Sequence, residues 1–177
     1  SIYAFVKENH PGVVESIRTA VNAEALSHKK YEKGIRGYVT LWTAKYETNL
    51  QIKSLAYNHR KEFVTAESRG ENIALAKSFG VNAFPSVTYT CLGTEFEDSI
   101  VYPGDASKDI NSKAMDAFLA QFSDGKKCEV IRKQSKKRKS DELKVAKKAL
   151  ELSQPELMKK KVSELLNILE LLGIKNT

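Results

Sequence analysis

The chain has few of the side chains that build metal sites and covalent catalysts, with only two cysteines and three histidines among its 177 residues. Cys91 and Cys128 form neither a C-x-x-C pair nor a metal-binding pattern, and the histidines lie in unrelated polar contexts. A zinc site or a cysteine–histidine nucleophile requires a cluster of such side chains. We therefore predict no metal, no cofactor and no nucleophilic catalysis.

Long apolar runs are also missing. No run approaches the roughly 20 residues needed to cross a bilayer, and no apolar segment of the signal-peptide type follows Ser1. The sequence also lacks an Asn-x-Ser/Thr glycosylation sequon and a retention signal. We expect a chain that has no membrane span and is soluble as given.

The net charge of +7 is concentrated near the C-terminus. Residues 126–177 hold fifteen Lys and Arg against seven Asp and Glu, whereas residues 1–125 hold fourteen against fifteen. The sequence therefore predicts a nearly neutral body that is followed by a basic extension.

Strand and helix patterns alternate through the body. Gly37–Thr43 is rich in β-branched and aromatic residues on both faces, which is typical of a buried central strand. The other predicted strands are Val13–Ile17, Glu62–Ala66, Val87–Cys91 and one near Ile100–Tyr102, and the predicted helices are Asn22–Tyr31 with Asn22 as N-cap, Glu47–His59, Asn72–Phe79 and Asn111–Phe122. This order predicts an α/β fold with a largely parallel sheet, helices on both faces and an antiparallel hairpin at one edge.

The segment from Gly80 to Thr90 is the most informative part of the body. Gly80 supplies a helix stop, and Pro85 opens the next strand, where its missing N–H is tolerated. An isolated Phe-Pro bond favours the trans isomer, but the order of elements around Pro85 favours a cis-proline, and the sequence leaves the isomer open.

This order of elements resembles the thioredoxin fold over about residues 13–122. Gly80-Val81 and Phe84-Pro85 are similar to the family's motif around its cis-proline. The segment 40–49 stands in register with the family's redox motif, where Trp42 matches and both cysteines are replaced, by Tyr46 and Asn49. The buried acid of the family falls on Thr40.

The resemblance implies a thioredoxin-like domain without redox activity. Thiol–disulfide exchange requires a thiolate of lowered pKa and a resolving partner, and neither Tyr46 nor Asn49 provides one. We interpret Cys91 as a small buried apolar residue and Cys128 as an incidental or mixed-disulfide cysteine. The chain is accordingly predicted not to be an enzyme.

In thioredoxin-like proteins an extended peptide runs against the residue before the cis-proline. The resemblance therefore implies a site for an unfolded client polypeptide or a chaperone partner at five residues: Trp42, Lys45, Tyr46, Phe84 and Pro85. A place in the hydrophobic core is the alternative for Trp42.

The basic extension allows three interpretations: a nuclear signal, a contact with nucleic acid, or a solvated helix face. Asp141–Leu152 has the pattern of a surface helix, and a second helix is predicted from Ser153 to Gly173. Its apolar stripe predicts a helix partner for five residues: Met158, Val162, Leu165, Leu169 and Leu172. The stretch from Val162 to Ile174 resembles the first helix of SAP and MANF-type domains, and the chain ends before a second such helix.

We divide the chain into an N-terminal extension (1–12), a thioredoxin-like domain (13–125), a basic linker (126–140) and a helical extension (141–177) that resembles a truncated SAP-like module. The resemblance implies a non-catalytic chaperone or scaffold module of the endoplasmic-reticulum lumen, similar to domains of protein disulfide isomerase relatives and J-domain proteins. The alternative is a nucleic-acid-binding module of the nucleus or cytosol that acts through the basic tail. Nucleic acid is the less favoured partner, because no aromatic residue is interleaved with the basic run.

Overall fold

The computed structural model of the chain describes residues 14–31, 34–150 and 162–171. Within these ranges the body contains five strands, five helices and a short 3₁₀ turn at Phe96–Asp98. The strands are β1 (Val14–Ser16), β2 (Gly37–Thr43), β3 (Val64–Arg69), β4 (Ser86–Cys91) and β5 (Ile100–Val101). The helices are α1 (Ala20–His28), α2 (Leu50–Asn58), α3 (Ile73–Ser78), α4 (Ala106–Asp109) and α5 (Lys113–Ala120).

The strands form one mixed sheet in the order β1-β3-β2-β4-β5. The pairs β1–β3 and β3–β2 are parallel, whereas β2–β4 and β4–β5 are antiparallel. The central strand β2 is buried along its whole length, because helices cover both faces of the sheet. The predicted α/β architecture, a thioredoxin-like fold with a mixed central sheet flanked by helices, is confirmed.

Alternate residues of β2 point into two separate cores. Val39 and Leu41 pack with α2 and α5 on one face. Tyr38 and Trp42 pack with α1 and α3 on the other face. One core packs against each face of the sheet, so the residues at the end of β2 are held from both sides.

Most predicted boundaries differ from the structure by one to three residues, and two of the differences have a clear physical cause. Thr19, and not Asn22, is the N-cap of α1: its hydroxyl accepts a hydrogen bond from the Asn22 amide, and the Asn22 side chain accepts one from the Thr19 amide. Asn22 therefore completes a capping box instead of beginning the helix. Strand β3 starts at Val64 and continues to Arg69, because its parallel pairing with β2 extends to Thr43.

The long helix α6 (Lys126–Leu150) runs through the residues predicted as a basic linker and into the predicted helical extension. The chain divides into two compact units, residues 1–132 and residues 133–177. The division into four segments stays a prediction, and the N-terminal extension lies outside the described residues. In the second unit, helix α7 (Val162–Leu171) includes three positions of the predicted partner face, whereas Met158 and Leu172 lie outside the described residues.

Cys91 and Cys128 form a disulfide, with their Cα atoms 5.6 Å apart. The interpretation of Cys128 as an incidental cysteine is therefore wrong, and Cys91 is buried as expected but is not a free thiol. The bond joins the end of β4 to the first turn of α6. Phe122 precedes this helix, and its ring stacks on Tyr89 of β4 with ring centroids 3.9 Å apart. This contact holds the start of α6 close to β4, where the two cysteines meet.

Candidate functional site

A groove of about 220 Å³ lies at the end of β2, beside Pro85. Its floor and walls come from four parts of the body: the end of β2, the loop that follows it, the segment before β4 and helix α4. The lining residues are mostly apolar: Leu41, Thr43, Ala44, Lys45, Asn49, Phe84, Pro85, Ala106, Ser107 and Ile110. The structure thus brings together three of the five predicted binding residues, namely Lys45, Phe84 and Pro85.

The loop between β2 and α2 forms one rim of the groove. The Lys45 amide donates to the Thr43 hydroxyl over 3.2 Å, and this bond turns the chain away from the strand. Asn49 is the N-cap of α2, since its side-chain oxygen accepts a hydrogen bond from the Gln51 amide at 2.8 Å. Asn49 stands in register with the second cysteine of the family's redox motif. In this chain the residue at that position begins α2 by capping it.

Tyr46 projects from this loop and is 82% exposed. Its carbonyl oxygen accepts a hydrogen bond from the Arg69 guanidinium at 2.9 Å. Its ring lies against Gly70, where an added Cβ would approach the ring to 2.9 Å. Gly70 has a φ of +77°, so the turn needs glycine for its backbone as well as for the space. The loop is thus fixed to the end of β3, and the tyrosine is presented to solvent.

A buried carboxylate lies beneath the loop at Glu67 of β3, which is 2% exposed. It accepts a hydrogen bond from the Asn49 amide at 3.4 Å, and the Arg69 Nε lies 3.8 Å from its other oxygen. The sequence comparison placed the family's buried acid at Thr40 and missed Glu67. The predicted strand ended at Ala66, and β3 is buried on both faces, so alternation along the strand gave no signal for Glu67.

The peptide bond between Phe84 and Pro85 is cis, which answers the question that the sequence left open. Ser86 donates through its hydroxyl to the Ala83 carbonyl at 2.6 Å and closes the turn before β4. The backbone N–H and C=O of Phe84 make no hydrogen bond with another described residue. These two groups lie next to the groove, because Phe84 is one of its lining residues.

Trp42 does not belong to this surface. Its side chain is fully buried on the opposite face of the sheet from Leu41, it packs on Phe79 with ring centroids 4.7 Å apart, and its Nε1 donates to the Thr88 hydroxyl at 2.9 Å. Trp42 is therefore removed from the predicted binding residues, because a fully buried ring cannot touch a partner. The alternative interpretation, a place in the hydrophobic core, is the one that the structure has.

Opposite charges flank the groove. Lys45 lies on the loop side, and Asp105 lies on the side of α4, where it caps the helix by accepting from the Ser107 amide at 2.9 Å. The hydrogen bond from the Ser107 side chain lowers the pKa of Asp105, so this carboxylate stays ionised at neutral pH. Its other carboxylate oxygen lies 3.2 Å from the Lys108 ammonium, so the charge of Asp105 is partly neutralised by a neighbour on α4.

The disulfide lies far from this groove. Cys91 is six residues after Pro85 along β4, a distance of about 20 Å in a strand. Neither cysteine is exposed. In the described ranges no three His, Cys, Asp or Glu side chains are grouped to hold a metal ion, and no helix there is long and apolar enough to cross a membrane.

No protein-family model matches the sequence, and no curated protein shows a significant match. Among solved structures, the chain is similar to the J-Trx1 fragment of ERdj5, with 15% sequence identity and a TM-score of 0.45. The match covers 62% of this chain and about half of that fragment, 50% of its length. The strand order, the helices on both faces and the cis-proline of the chain itself define a thioredoxin-like domain.

Proposed function

We propose that the chain is a redox-inactive, protein-binding module that holds an extended segment of a client or partner polypeptide beside Pro85. The observation that carries this proposal is the unpaired backbone of Phe84 next to an apolar groove. An added strand gains affinity from backbone hydrogen bonds and specificity from pockets for alternate side chains. The backbone of Phe84 would provide the hydrogen bonds, and the groove would provide a pocket for a side chain.

The size and lining of the groove support this type of ligand. Its volume of about 220 Å³ is smaller than the roughly 300 Å³ at which small-molecule sites begin. It has room for one or two side chains. Because Leu41, Ala44 and Ile110 line it, an aliphatic or aromatic side chain of the bound segment is the favoured occupant.

Two features support redox inactivity and an oxidising compartment. Tyr46 in the loop before α2 and Asn49 at its N-cap occupy the positions where exchanging cysteines would lie. The two cysteines are paired and buried at the other end of the sheet. Disulfides persist in oxidising environments, so we propose that the module works in the endoplasmic-reticulum lumen, as part of a larger folding factor.

Tyr46→Ala is expected to weaken binding of an unfolded client polypeptide about tenfold, because truncating an exposed tyrosine at an interface removes a contact of this magnitude. The melting temperature should change by less than about 1 °C, since the side chain is 82% exposed. Fluorescence titration with a reduced, unfolded protein measures the first quantity, and calorimetry measures the second.

Tyr57→Ala is the matched control, because Tyr57 is also an exposed tyrosine but lies near the C-terminal end of α2, away from the loop that carries Tyr46. Equal binding by wild type and Tyr46→Ala would contradict the proposed site. Phe84→Ala is a poorer probe: its ring packs against the core that contains Trp42, so its truncation lowers stability as well as binding.

In an insulin-reduction assay we expect no turnover above that of a Cys91→Ala, Cys128→Ala variant. The physical reason is that neither sulfur is exposed to a substrate disulfide. Turnover by the wild type that the double variant lacks would refute redox inactivity while leaving the peptide-binding proposal untouched.

A further inference from the structure

Helix α6 carries the same lysine cluster twice. The arrangement K-x-x-K-K occurs at Lys133, Lys136 and Lys137, and again at Lys144, Lys147 and Lys148. The two clusters are eleven residues apart, which is about three helical turns and about 16 Å along the axis. Both therefore lie on one side of the helix, and we call these six side chains the lysine face.

All six lysines are exposed. Lys144 lies 3.6 Å from Asp141, and the other five form no ion pair with another residue that the structure describes. On the other side of the helix, Ser135 and Ala146 are buried. The lysine face is consequently a solvent-exposed side of α6 in the second unit.

The composition of the lysine face limits its partner. No aromatic residue occurs in α6, so the helix has no ring on which an unpaired base could stack. Of the side chains that read base edges in a groove, the six positions offer only lysine, which contacts guanine, and they include no Arg, Asn or Gln. An anionic membrane is also a poor match, because a helix on a membrane inserts an apolar side opposite its lysines, and the exposed cations Arg138 and Lys139 flank the opposite side of α6.

The spacing of the lysine face favours a polypeptide over the backbone of a nucleic-acid duplex. A duplex presents one negative charge about every 1.7 Å without interruption. The lysines instead form two separate groups. On their side of the helix Ser140 and the carboxylate of Asp141 lie between the groups, whereas Arg138 and Lys139 fall on other sides of the helix. A polypeptide with two acidic clusters can place its carboxylates on the two groups and avoid the acid between them.

We propose that the lysine face binds an acidic polypeptide segment that carries two clusters of Asp or Glu about 16 Å apart. In a helical partner this distance corresponds to eleven residues, and in an extended partner to about five. This interaction is independent of the groove beside Pro85, and it gives the basic extension a protein partner.

The test compares two triple variants of the full chain. Lys144→Gln, Lys147→Gln, Lys148→Gln removes one cluster. Lys53→Gln, Lys61→Gln, Lys113→Gln removes the same charge from exposed positions of the body. Because glutamine and lysine have similar helix propensities, circular dichroism should give the same helix content for both variants.

The probe is a synthetic helical peptide with two E-x-x-E-E clusters eleven residues apart. We expect the first variant to bind it about tenfold more weakly than wild type, since three ion pairs are lost, and the second variant to bind within about twofold. A peptide of the same composition with its glutamates spread evenly should bind more weakly than the probe.

Four outcomes would overturn the proposal. Equal weakening by both variants would mean that net charge alone attracts the peptide. Equal affinity for the evenly spread peptide would remove the role of the spacing. Tighter binding of duplex DNA or phosphatidylserine vesicles at equal salt would assign the face to a different partner. Absence of peptide binding by the wild type would leave the lysines as a solvated surface.

Discussion

Replacing Cys91 and Cys128 together by alanine is expected to lower the free energy of unfolding by about 4 kcal/mol. The two cysteines are separated by 37 residues, and closing a loop of this length removes about that much chain entropy from the unfolded state. The loss is a large fraction of the roughly 5–15 kcal/mol that stabilises a typical domain. Urea unfolding followed by circular dichroism measures it.

The wild type unfolded and refolded in the presence of a dithiol reductant provides the control. Its midpoint should fall to that of the double variant, whereas the reductant should leave the variant unchanged. If reduction does not shift the midpoint of the wild type, the disulfide does not contribute to the stability of the domain. Loss of the disulfide should also destabilise the start of α6, because Cys128 and Ile131 are the residues of its first turns that enter the core.

Trp42→Ala should destabilise the domain by about 3–5 kcal/mol, the range for deleting a buried aromatic ring. The substitution leaves a cavity next to Phe79. It also removes the indole N–H that donates to the Thr88 hydroxyl, and this hydroxyl is fully buried, so it loses its partner without gaining water. Thermal unfolding of the purified variant gives the shift in melting temperature, and urea unfolding gives the free energy.

Trp42→Phe is the matched comparison, because it keeps an aromatic ring in the core and loses mainly the hydrogen bond and part of the volume. Its cost should be well below that of alanine, at about 1–2 kcal/mol. A Trp42→Ala protein that is as stable as wild type would contradict the buried position and return Trp42 to the set of surface residues.

The groove and the lysine face are two proposed sites on different units of the chain, and the experiments above test them separately. Tyr46→Ala tests the groove without altering the charge of the basic extension. The lysine variants leave the loop before α2 intact. A client-binding module with a second, electrostatic contact can hold its partner at two points, and two linked contacts bind more tightly than either alone.

Much of the body was predictable from local patterns. Strand β2 matches its predicted bounds, Gly37 to Thr43, because a continuous apolar run with β-branched residues has few alternatives to a central strand. Strand β4 extends its prediction by one residue, to Ser86. Helix ends were less accurate, since capping depends on which side chain reaches which amide: both Thr19 and Asn22 have the chemistry of an N-cap.

The candidate site was only partly predictable. Lys45, Phe84 and Pro85 were placed correctly near one another by the order of elements, whereas Glu67 and helix α4 were missed. Glu67 is polar and lies in a strand that was predicted to end earlier, so nothing local marked it as buried. Its burial follows from the pairing of β3 with β2 and from the start of α2 above it.

The sequence by itself determined the alternation of strands and helices, the position of Pro85 at the start of a strand, the replacement of a redox pair by Tyr46 and Asn49, and the concentration of positive charge near the C-terminus. These properties depend on residue type and on short-range spacing. Tertiary structure alone decided the pairing of Cys91 with Cys128, the burial of Glu67 and the core position of Trp42. Each of these depends on contacts between segments that are distant in the chain, which residue-by-residue patterns do not encode.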